Sequence, residues 1–290
     1  MKLLTYQKDG NQILGKLTED GRVCSLDDLG IHFSSMNDLI AHSTPEQLKR
    51  IEAGSAPSLP YDAIVKCSPI PVPAQDIICL GINYMAHAEE SARYKKEAFG
   101  GERPYAVYFS KRVDCAVPDG GYIQAHTDMV ERLDYEAELA LIIGKEAKNV
   151  PKEDAYDYIF GYTIINDVSA REVQTNHKQW YFGKSLDGFT PMGPWIVTAD
   201  EIPGRPMLPI RSYVNGELRQ NSTTDLFIFD IPHVISELSH GMTLRPGTII
   251  SMGTPAGVGM GFNPPKFLKP GDVVTCEIEG IGTLCNTIHG

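Results

Sequence analysis

The sequence lacks the features that mark several classes of protein. It contains six cysteines, yet none form a C-x-x-C pair and no cysteine–histidine cluster has the spacing of a zinc site. No apolar run approaches the ~18 residues of a membrane helix. The apolar stretch at the N-terminus is too short for a signal peptide. The sequence therefore predicts a soluble, cytoplasmic protein with reduced thiols.

Positive charge is also scarce. The chain has 37 acidic residues against 26 lysines and arginines, which gives a formal net charge of −11 and a pI of about 5.2. Such a chain would repel nucleic acids and anionic membrane surfaces, so we expect neither as a partner. A small anionic substrate remains compatible, because a metal ion or a few local cations can reverse the field inside a pocket.

Nucleotide-binding motifs are absent as well. The glycine-rich segment SMGTPAGVGMGF, residues 251–262, lacks the G-x-x-x-x-G-K-[ST] pattern of a phosphate-binding loop. The residues NPP follow it and cannot open the helix that a dinucleotide site requires. The segment is either a plain β-turn or a turn whose backbone N–H groups, with Thr254 as a further donor, hold a carboxylate.

The 290 residues predict a small N-terminal α/β domain over 1–72 and a larger domain over 73–290. Asp9-Gly10 signals a hairpin, and Thr44 with Gln47 predicts a capped helix. A proline-rich connector follows. The larger domain consists mostly of β-branched and aromatic runs, with helices predicted near 86–98, 168–177 and 228–241. The fold class is therefore α+β and predominantly β.

The segment DYEAELALIIG, residues 134–144, sets two acids into a strand. Glu136 and Glu138 lie two residues apart and therefore project from the same side. A third acid, Asp167, interrupts another apolar strand. Carboxylates in such places need a partner, and three oxygen ligands suit Mg²⁺ or Mn²⁺. The alternatives are a solvated edge strand or a purely structural network of acids.

His87 and Glu90 lie three residues apart at the start of a predicted helix, hence on one face. A carboxylate beside an imidazole orients it and raises its basicity, as a general base requires. The alternative is a surface ion pair.

Two further clusters have polar residues in apolar surroundings. Asp167, Arg171 and Gln174 have the spacing of one helical face, which could hold a carboxylate or could be a helix cap with a salt bridge. Lys184 lies among aromatic residues. It could stabilise developing negative charge, or it could be a surface lysine with a buried stem.

Together, these motifs resemble the fumarylacetoacetate hydrolase family. The resemblance covers roughly residues 76–288 and is carried, in family order, by GINYMAHAEE, DYEAELALIIGK, GYTIINDVSAREVQ, GKSLDGFTPMGPWIV, VNGELRQ, ISMGTPAGVG and FLKPGDVV. It implies a mixed β-roll catalytic domain that assembles as a homodimer. The N-terminal domain resembles the short domain that bacterial members often carry.

The resemblance also implies roles for individual residues. It implies Mg²⁺ or Mn²⁺ held by Glu136, Glu138 and Asp167, and a water-activating dyad of His87 and Glu90. It places Arg171, Gln174, Lys184 and Thr254 on the substrate side. It makes residues 86–100 a lid, and we expect this segment and the N-terminal domain to form the far wall of the pocket.

The predicted function is metal-dependent hydrolysis of the C–C bond of a 2,4-dioxo acid, an acylpyruvate, through a pyruvate enolate. Two alternatives use the same site: decarboxylation of oxaloacetate, and isomerisation of a 2-hydroxydienoate such as 2-hydroxyhepta-2,4-diene-1,7-dioate. The His–Glu pair favours hydrolysis, although a base also helps the other reactions. A protein that binds oxo acids without catalysis is a further alternative, but it would not need a base.

Overall fold

The computed structural model describes residues 1–95, 101 and 104–290, and across them β-structure dominates. The strands are β1 Lys2–Lys8, β2 Asn11–Leu17, β3 Arg22–Ser25, β4 Ser58–Pro60, β5 Val65–Lys66, β6 Ile77–Gly81, β7 Val107–Lys111, β8 Tyr122–Gln124, β9 Leu133–Asp134, β10 Ala137–Ile143, β11 Ile159–Asn166, β12 Ser169–Ala170, β13 Met192–Thr198, β14 Pro209–Val214, β15 Glu217–Thr223, β16 Ile249–Ser251, β17 Val273–Ile278 and β18 Gly282–His289. The α-helices are α1 Met36–His42, α2 Pro45–Ala53, α3 Met85–Lys95, α4 Arg171–Asn176, α5 Tyr181–Lys184 and α6 Ile231–Gly241. The predicted α+β, predominantly β class is confirmed.

The largest sheet runs in the order β4-β3-β2-β1-β13-β11-β10-β16-β6-β7, with β5 paired to β1. Strand β1 pairs antiparallel with β13, where Lys2 lies opposite Val197. The first strands of the chain thus extend the sheet built by the rest of the chain. The domain boundary at residue 72 stays a prediction.

Local turn and cap chemistry in the N-terminal region follows the sequence. Asp9 and Gly10 take positive φ angles of 51° and 81° in the turn between β1 and β2. At the start of α2, the Thr44 hydroxyl accepts from the Gln47 N–H and the Gln47 side chain accepts from the Thr44 N–H. The predicted hairpin and capping box are therefore confirmed.

Strand β10 lies at the centre of the fold and is buried on both faces. Leu139 and Leu141 belong to one hydrophobic cluster, which includes residues of the second sheet, β15-β14-β17-β18-β8. Ala140 and Ile142 point the other way into a second cluster with residues of the N-terminal region. The alternation predicted for this strand is correct, and it fixes the direction of the acids at its start.

One predicted helix differs from the structure. Helix α4 begins only at Arg171, because Ser169 and Ala170 are still extended and pair with β9. Asp167 directly follows β11, so it shares no helical face with Arg171, and that prediction was wrong. Helix α3 is described over Met85–Lys95, in agreement with the helix predicted near 86–98. The rest of the predicted helix, and of the lid over 86–100, lies outside the described residues.

Neither disulfides nor membrane helices contribute to the described part of the fold. All six cysteines are unpaired; Cys24, Cys79 and Cys276 are buried and Cys115 is exposed. No helix among the described residues has the length and apolar character needed to cross a membrane.

A buried asparagine ties three segments together behind β6. The Asn83 side chain donates to the carbonyl oxygens of Phe229 at 3.0 Å and Met252 at 2.9 Å, and accepts from the Phe229 N–H at 2.8 Å. We expect Asn83→Ala to lower the free energy of unfolding by about 2–4 kcal/mol, because it leaves buried backbone groups unpaired. Urea titration measures this change. The exposed Asn221 provides the control, and Asn221→Ala should change the free energy of unfolding by less than about 0.5 kcal/mol. Equal losses of stability in the two variants would contradict the role of Asn83 as a buried link between segments.

Candidate active site

Three buried acids meet where β10 begins and β11 ends. One carboxylate oxygen from each of Glu136, Glu138 and Asp167 lies within 4.8 Å of the others. The two strands are antiparallel, with Ala137 opposite Asn166, so the last residues of β11 lie beside the first residues of β10. The Asp167 N–H also donates to the Glu136 carbonyl oxygen at 2.8 Å. Strand register therefore assembles the cluster from acids about thirty residues apart.

Cationic side chains compensate most of this negative charge. Lys184 Nζ lies 2.6 Å from both Glu136 Oε2 and Asp167 Oδ2, and Arg171 Nη1 lies 2.7 Å from Glu136 Oε1. Burial works against the charged form of Glu136, but Lys184 and then Arg171 outweigh it and lower its pKa to about 2. Burial likewise works against charged Lys184, yet the neighbouring carboxylates raise its pKa. Glu136 and Lys184 are therefore both charged at neutral pH.

Glu138 is in the opposite situation. Its Oε2 accepts from the Ser251 hydroxyl at 2.6 Å and from the Gly253 N–H at 3.0 Å. Burial, together with the charges of Asp167 and Glu136, raises its pKa well above the usual value. A cation among the three carboxylates would remove this penalty. The donor set consists only of carboxylate oxygens, which suits a hard divalent cation such as Mg²⁺ or Mn²⁺. The residues present therefore fit the predicted metal.

His87 and Glu90 form a hydrogen-bonded pair on α3, and both are about 5% exposed. His87 Nδ1 lies 3.0 Å from Glu90 Oε2, and Glu90 Oε1 accepts from the Gly257 N–H at 2.9 Å. Since a carboxylate accepts, Nδ1 carries a hydrogen in this contact, and in the neutral imidazole Nε2 is the nitrogen with the free lone pair. A Cβ at Gly261 would lie 1.8 Å from Glu90 Oε1, so the observed position of the Glu90 side chain requires glycine at residue 261.

A cavity of about 640 Å³ joins the dyad to the acids. The predicted site residues in its wall are His87, Glu136, Glu138, Arg171, Gln174, Lys184 and Thr254. Glu90 and Asp167 lie directly behind this wall, bonded to His87 and Lys184. The structure thus brings all nine predicted residues together, while their individual roles stay predictions. Among the described residues the lining begins at Leu80, so the expectation that the N-terminal domain forms the far wall was wrong.

The substrate-side residues differ in the hydrogen-bond capacity they have left. Arg171 Nη1 lies 3.2 Å from Gln174 Oε1, and its Nη2 is buried without a partner in the part of the chain that the structure describes. That nitrogen is a donor suited to a ligand oxygen. The Thr254 hydroxyl already donates to the Ala137 carbonyl oxygen and accepts from Gln220. Its expected donation to a substrate would therefore compete with an internal bond.

The glycine-rich segment 251–262 holds carboxylates, but they are the protein's own. Its backbone N–H groups at Gly253, Gly257 and Gly259 donate to Glu138, Glu90 and Asp134, respectively. Gly253 and Gly257 have positive φ angles of 88° and 104°, which only glycine adopts readily. This single turn therefore positions a metal-ligand candidate, the partner of the candidate base and a third buried acid.

Two functional candidates were missed in the sequence. Lys111 is fully buried, with Nζ 2.7 Å from Asp167 Oδ1. Asp134 is fully buried and accepts from Arg171 Nε at 2.8 Å. A signal existed for Asp134, which lies two residues before Glu136 and continues the same alternation. Lys111 ends an apolar strand, and that position alone did not indicate a partner.

A comparison with known proteins identifies the class to which this fold and site belong. The family described as fumarylacetoacetate (FAA) hydrolase, C-terminal, matches residues 76–289, and the chain belongs to this family. Oxaloacetate tautomerase YisK of Bacillus subtilis (strain 168) is 48% identical over 221 residues, which cover 76% of this chain and 72% of that relative. The predicted family is therefore confirmed.

Solved structures agree in fold over the whole chain. Fumarylacetoacetate hydrolase (EaFAH) from psychrophilic Exiguobacterium antarcticum has a TM-score of 0.85 and 37% identity, with 100% of this chain and 99% of that chain covered. Maleylpyruvate hydrolase from Sphingobium sp. SYK-6, in complex with manganese(II) and pyruvate, has a TM-score of 0.79 and 28% identity, with the same coverage. The predicted family fold is confirmed. The relatives' names cover more than one reaction, so the family alone does not fix the reaction of this chain.

The acid cluster predicts where a divalent ion binds. We expect Glu138→Gln to weaken Mn²⁺ binding by about 10- to 100-fold or more, because it removes a charged ligand without changing its shape. Isothermal titration calorimetry measures the affinity. The described residues contain a second acidic group, the exposed Glu52, Asp200 and Glu201, which provides a matched control. Asp200→Asn should leave Mn²⁺ affinity unchanged. If Asp200→Asn weakened binding and Glu138→Gln did not, the metal site would be misplaced.

Proposed function

We propose that this protein is a divalent-metal-dependent enzyme that acts on a small 2-oxo acid, with His87 as the base that moves a proton. One observation carries the proposal: the His87–Glu90 dyad and the three-carboxylate cluster share one cavity. The manganese and pyruvate bound by the maleylpyruvate hydrolase relative support the same chemistry.

The site residues have different proposed roles. Glu136, Glu138 and Asp167 would hold Mg²⁺ or Mn²⁺, which, when bound, supplies a Lewis acid that favours negative charge on the oxygen of a 2-oxo group. Arg171 Nη2 orients the substrate carboxylate. His87 Nε2 accepts a proton, and Glu90 stabilises the resulting imidazolium. Lys184 Nζ adds positive charge where an enolate forms.

The first candidate reaction is the keto–enol conversion of oxaloacetate, which the 48% identity to the B. subtilis tautomerase favours. His87 Nε2 takes a proton from C3, the C3–H electron pair forms the C2–C3 double bond, and the oxygen on C2 takes up a proton. Decarboxylation of oxaloacetate and isomerisation of a 2-hydroxydienoate pass through related enolates and stay alternatives.

The second candidate is hydrolysis of a 2,4-dioxo acid, which the dyad favours because it can deprotonate water. Hydroxide adds to the C4 carbonyl, the C3–C4 bond breaks, and its electron pair becomes the enolate of pyruvate, which then takes up a proton. The acyl group leaves as a carboxylic acid. The homodimer implied by the family stays a prediction that light scattering can test.

The role of His87 is testable by substitution. We expect His87→Gln to lower the rate of oxaloacetate enol–keto conversion by about 10²- to 10⁴-fold, the usual contribution of a general base. The enol absorbance follows the reaction. Mn²⁺-dependent binding of oxalate, an enolate mimic that needs no base, should persist. His240, which is exposed on α6, provides the control variant His240→Gln. Full activity of His87→Gln would show that another group is the base. No turnover by the unmodified protein, with oxalate binding retained, would show that the protein only binds oxo acids.

A substrate panel separates the candidate reactions. With Mn²⁺ present, we expect fast tautomerisation of oxaloacetate and slower or no pyruvate release from acetylpyruvate and fumarylpyruvate. Coupled lactate dehydrogenase detects pyruvate, and carbon dioxide release detects decarboxylation. Pyruvate release from a 2,4-dioxo acid without carbon dioxide, at a rate above that of tautomerisation, would instead establish the hydrolase.

A further inference from the structure

Beyond the acid cluster, the cavity wall is cationic. The acids in its lining are Glu136 and Glu138, which face Lys184 and Arg171. The described lining also contains Lys95, Arg132 and Lys178. Glu172, which is not in the lining, pairs with Arg132 at 3.4 Å, so Lys95 and Lys178 carry the excess positive charge there. In a chain with a formal net charge of −11, this local excess of positive charge is unusual. It would attract a further anionic group on a bound substrate.

Among the described residues, Arg132 takes no part in the ion pairs of the acid cluster. Its ion-pair partner is Glu172, whereas Glu136 is paired by Lys184 and Arg171. Lys178 lies two residues beyond the end of α4. A group bound by Arg132 is therefore distinct from the group that faces the acid cluster.

Arg132 is held in position, and its hydrogen-bonding capacity is only partly used. Its Nη1 donates to the Tyr94 hydroxyl at 3.0 Å, and its Nε lies 3.4 Å from Glu172 Oε2. These contacts fix the guanidinium between α3 and α4. The hydrogen bond to Tyr94 engages one of its five N–H donors, and its side chain is 40% exposed. The group is thus oriented, accessible from the cavity and able to donate further.

We propose that Arg132, oriented by Tyr94, binds a second carboxylate at the far end of the substrate. The protein then selects 2-oxo dicarboxylic acids over monocarboxylic acids of the same length. This inference rests on the proposed function. A guanidinium binds a carboxylate through two parallel N–H bonds, whereas a terminal methyl group would leave those donors unpaired. Lys95 and Lys178 are exposed and add a salt-dependent attraction.

The test compares acids that differ only at the far end. The Mn²⁺-loaded protein is titrated calorimetrically with 2-oxoglutarate and 2-oxovalerate, and with 2-oxoadipate and 2-oxohexanoate. We expect the dicarboxylic acid of at least one pair to bind about 10- to 100-fold more tightly, the range for hydrogen bonds to charged groups. In Arg132→Gln the affinity ratio should fall to within about threefold of one, and Arg132→Lys should keep part of it. Arg112, an exposed arginine outside the cavity lining, provides Arg112→Gln, which should keep the full ratio.

Each result decides the proposal. A ratio near one in the unmodified protein, or a full ratio in Arg132→Gln, overturns it; the second result would leave Arg132 as a structural tie between α3 and α4. Deuterium exchange at C3, followed by NMR on the same acids, tests the proposed enzyme separately. Exchange without selectivity overturns only the carboxylate site, and selectivity without exchange overturns only the enzyme. If neither acid of either pair binds, both proposals fail.

Discussion

The described structure depends on a balance between buried carboxylates and buried cations at the junction of β10 and β11. An isolated ionised carboxylate cannot be buried at acceptable cost, and removing one partner of a buried pair typically costs about 3–5 kcal/mol. Lys184 bridges Glu136 and Asp167, and Lys111 pairs with Asp167 from the other side. Folding therefore requires these cations before any ligand binds. The acids are oriented in advance, as a metal site needs.

Glu138 is the acid of the cluster that is not paired with a cation among the described residues. It has neutral hydrogen-bond donors, from Ser251 and Gly253, and no lysine or arginine within salt-bridge distance among the described residues. The glycine-rich turn that supplies Gly253 also holds Glu90 through Gly257. The glycine-rich turn thus links Glu138, the acid without a cationic partner in the described part of the chain, to Glu90, the partner of His87. The candidate metal ligand and the partner of the candidate base are therefore positioned by the same turn.

Sequence patterns predicted the contacts that depend on local geometry. Glu136 and Glu138 share a strand face, and His87 and Glu90 share a helix face, because two- and three-residue spacings fix direction wherever the element lies. The contact of Lys111 with Asp167 spans 56 residues and depends on how the sheet folds. No local period encodes it. The helix predicted from residue 168 failed for a related reason, since pairing with β9 keeps the chain extended up to α4.

The far end of the cavity is built on the same chain segments as the acid cluster. Arg132 precedes β9, which leads directly to Glu136, and Arg171 begins α4, whose next residue, Glu172, holds Arg132. The Arg171 N–H donates to the Arg132 carbonyl oxygen at 3.0 Å, which fixes the two segments to each other. The spacing between the acid cluster and the distal guanidinium is therefore set by buried backbone bonds. The proposed carboxylate site would therefore discriminate between ligands by length, because the pairing of β9 with β12 holds the backbone at both ends.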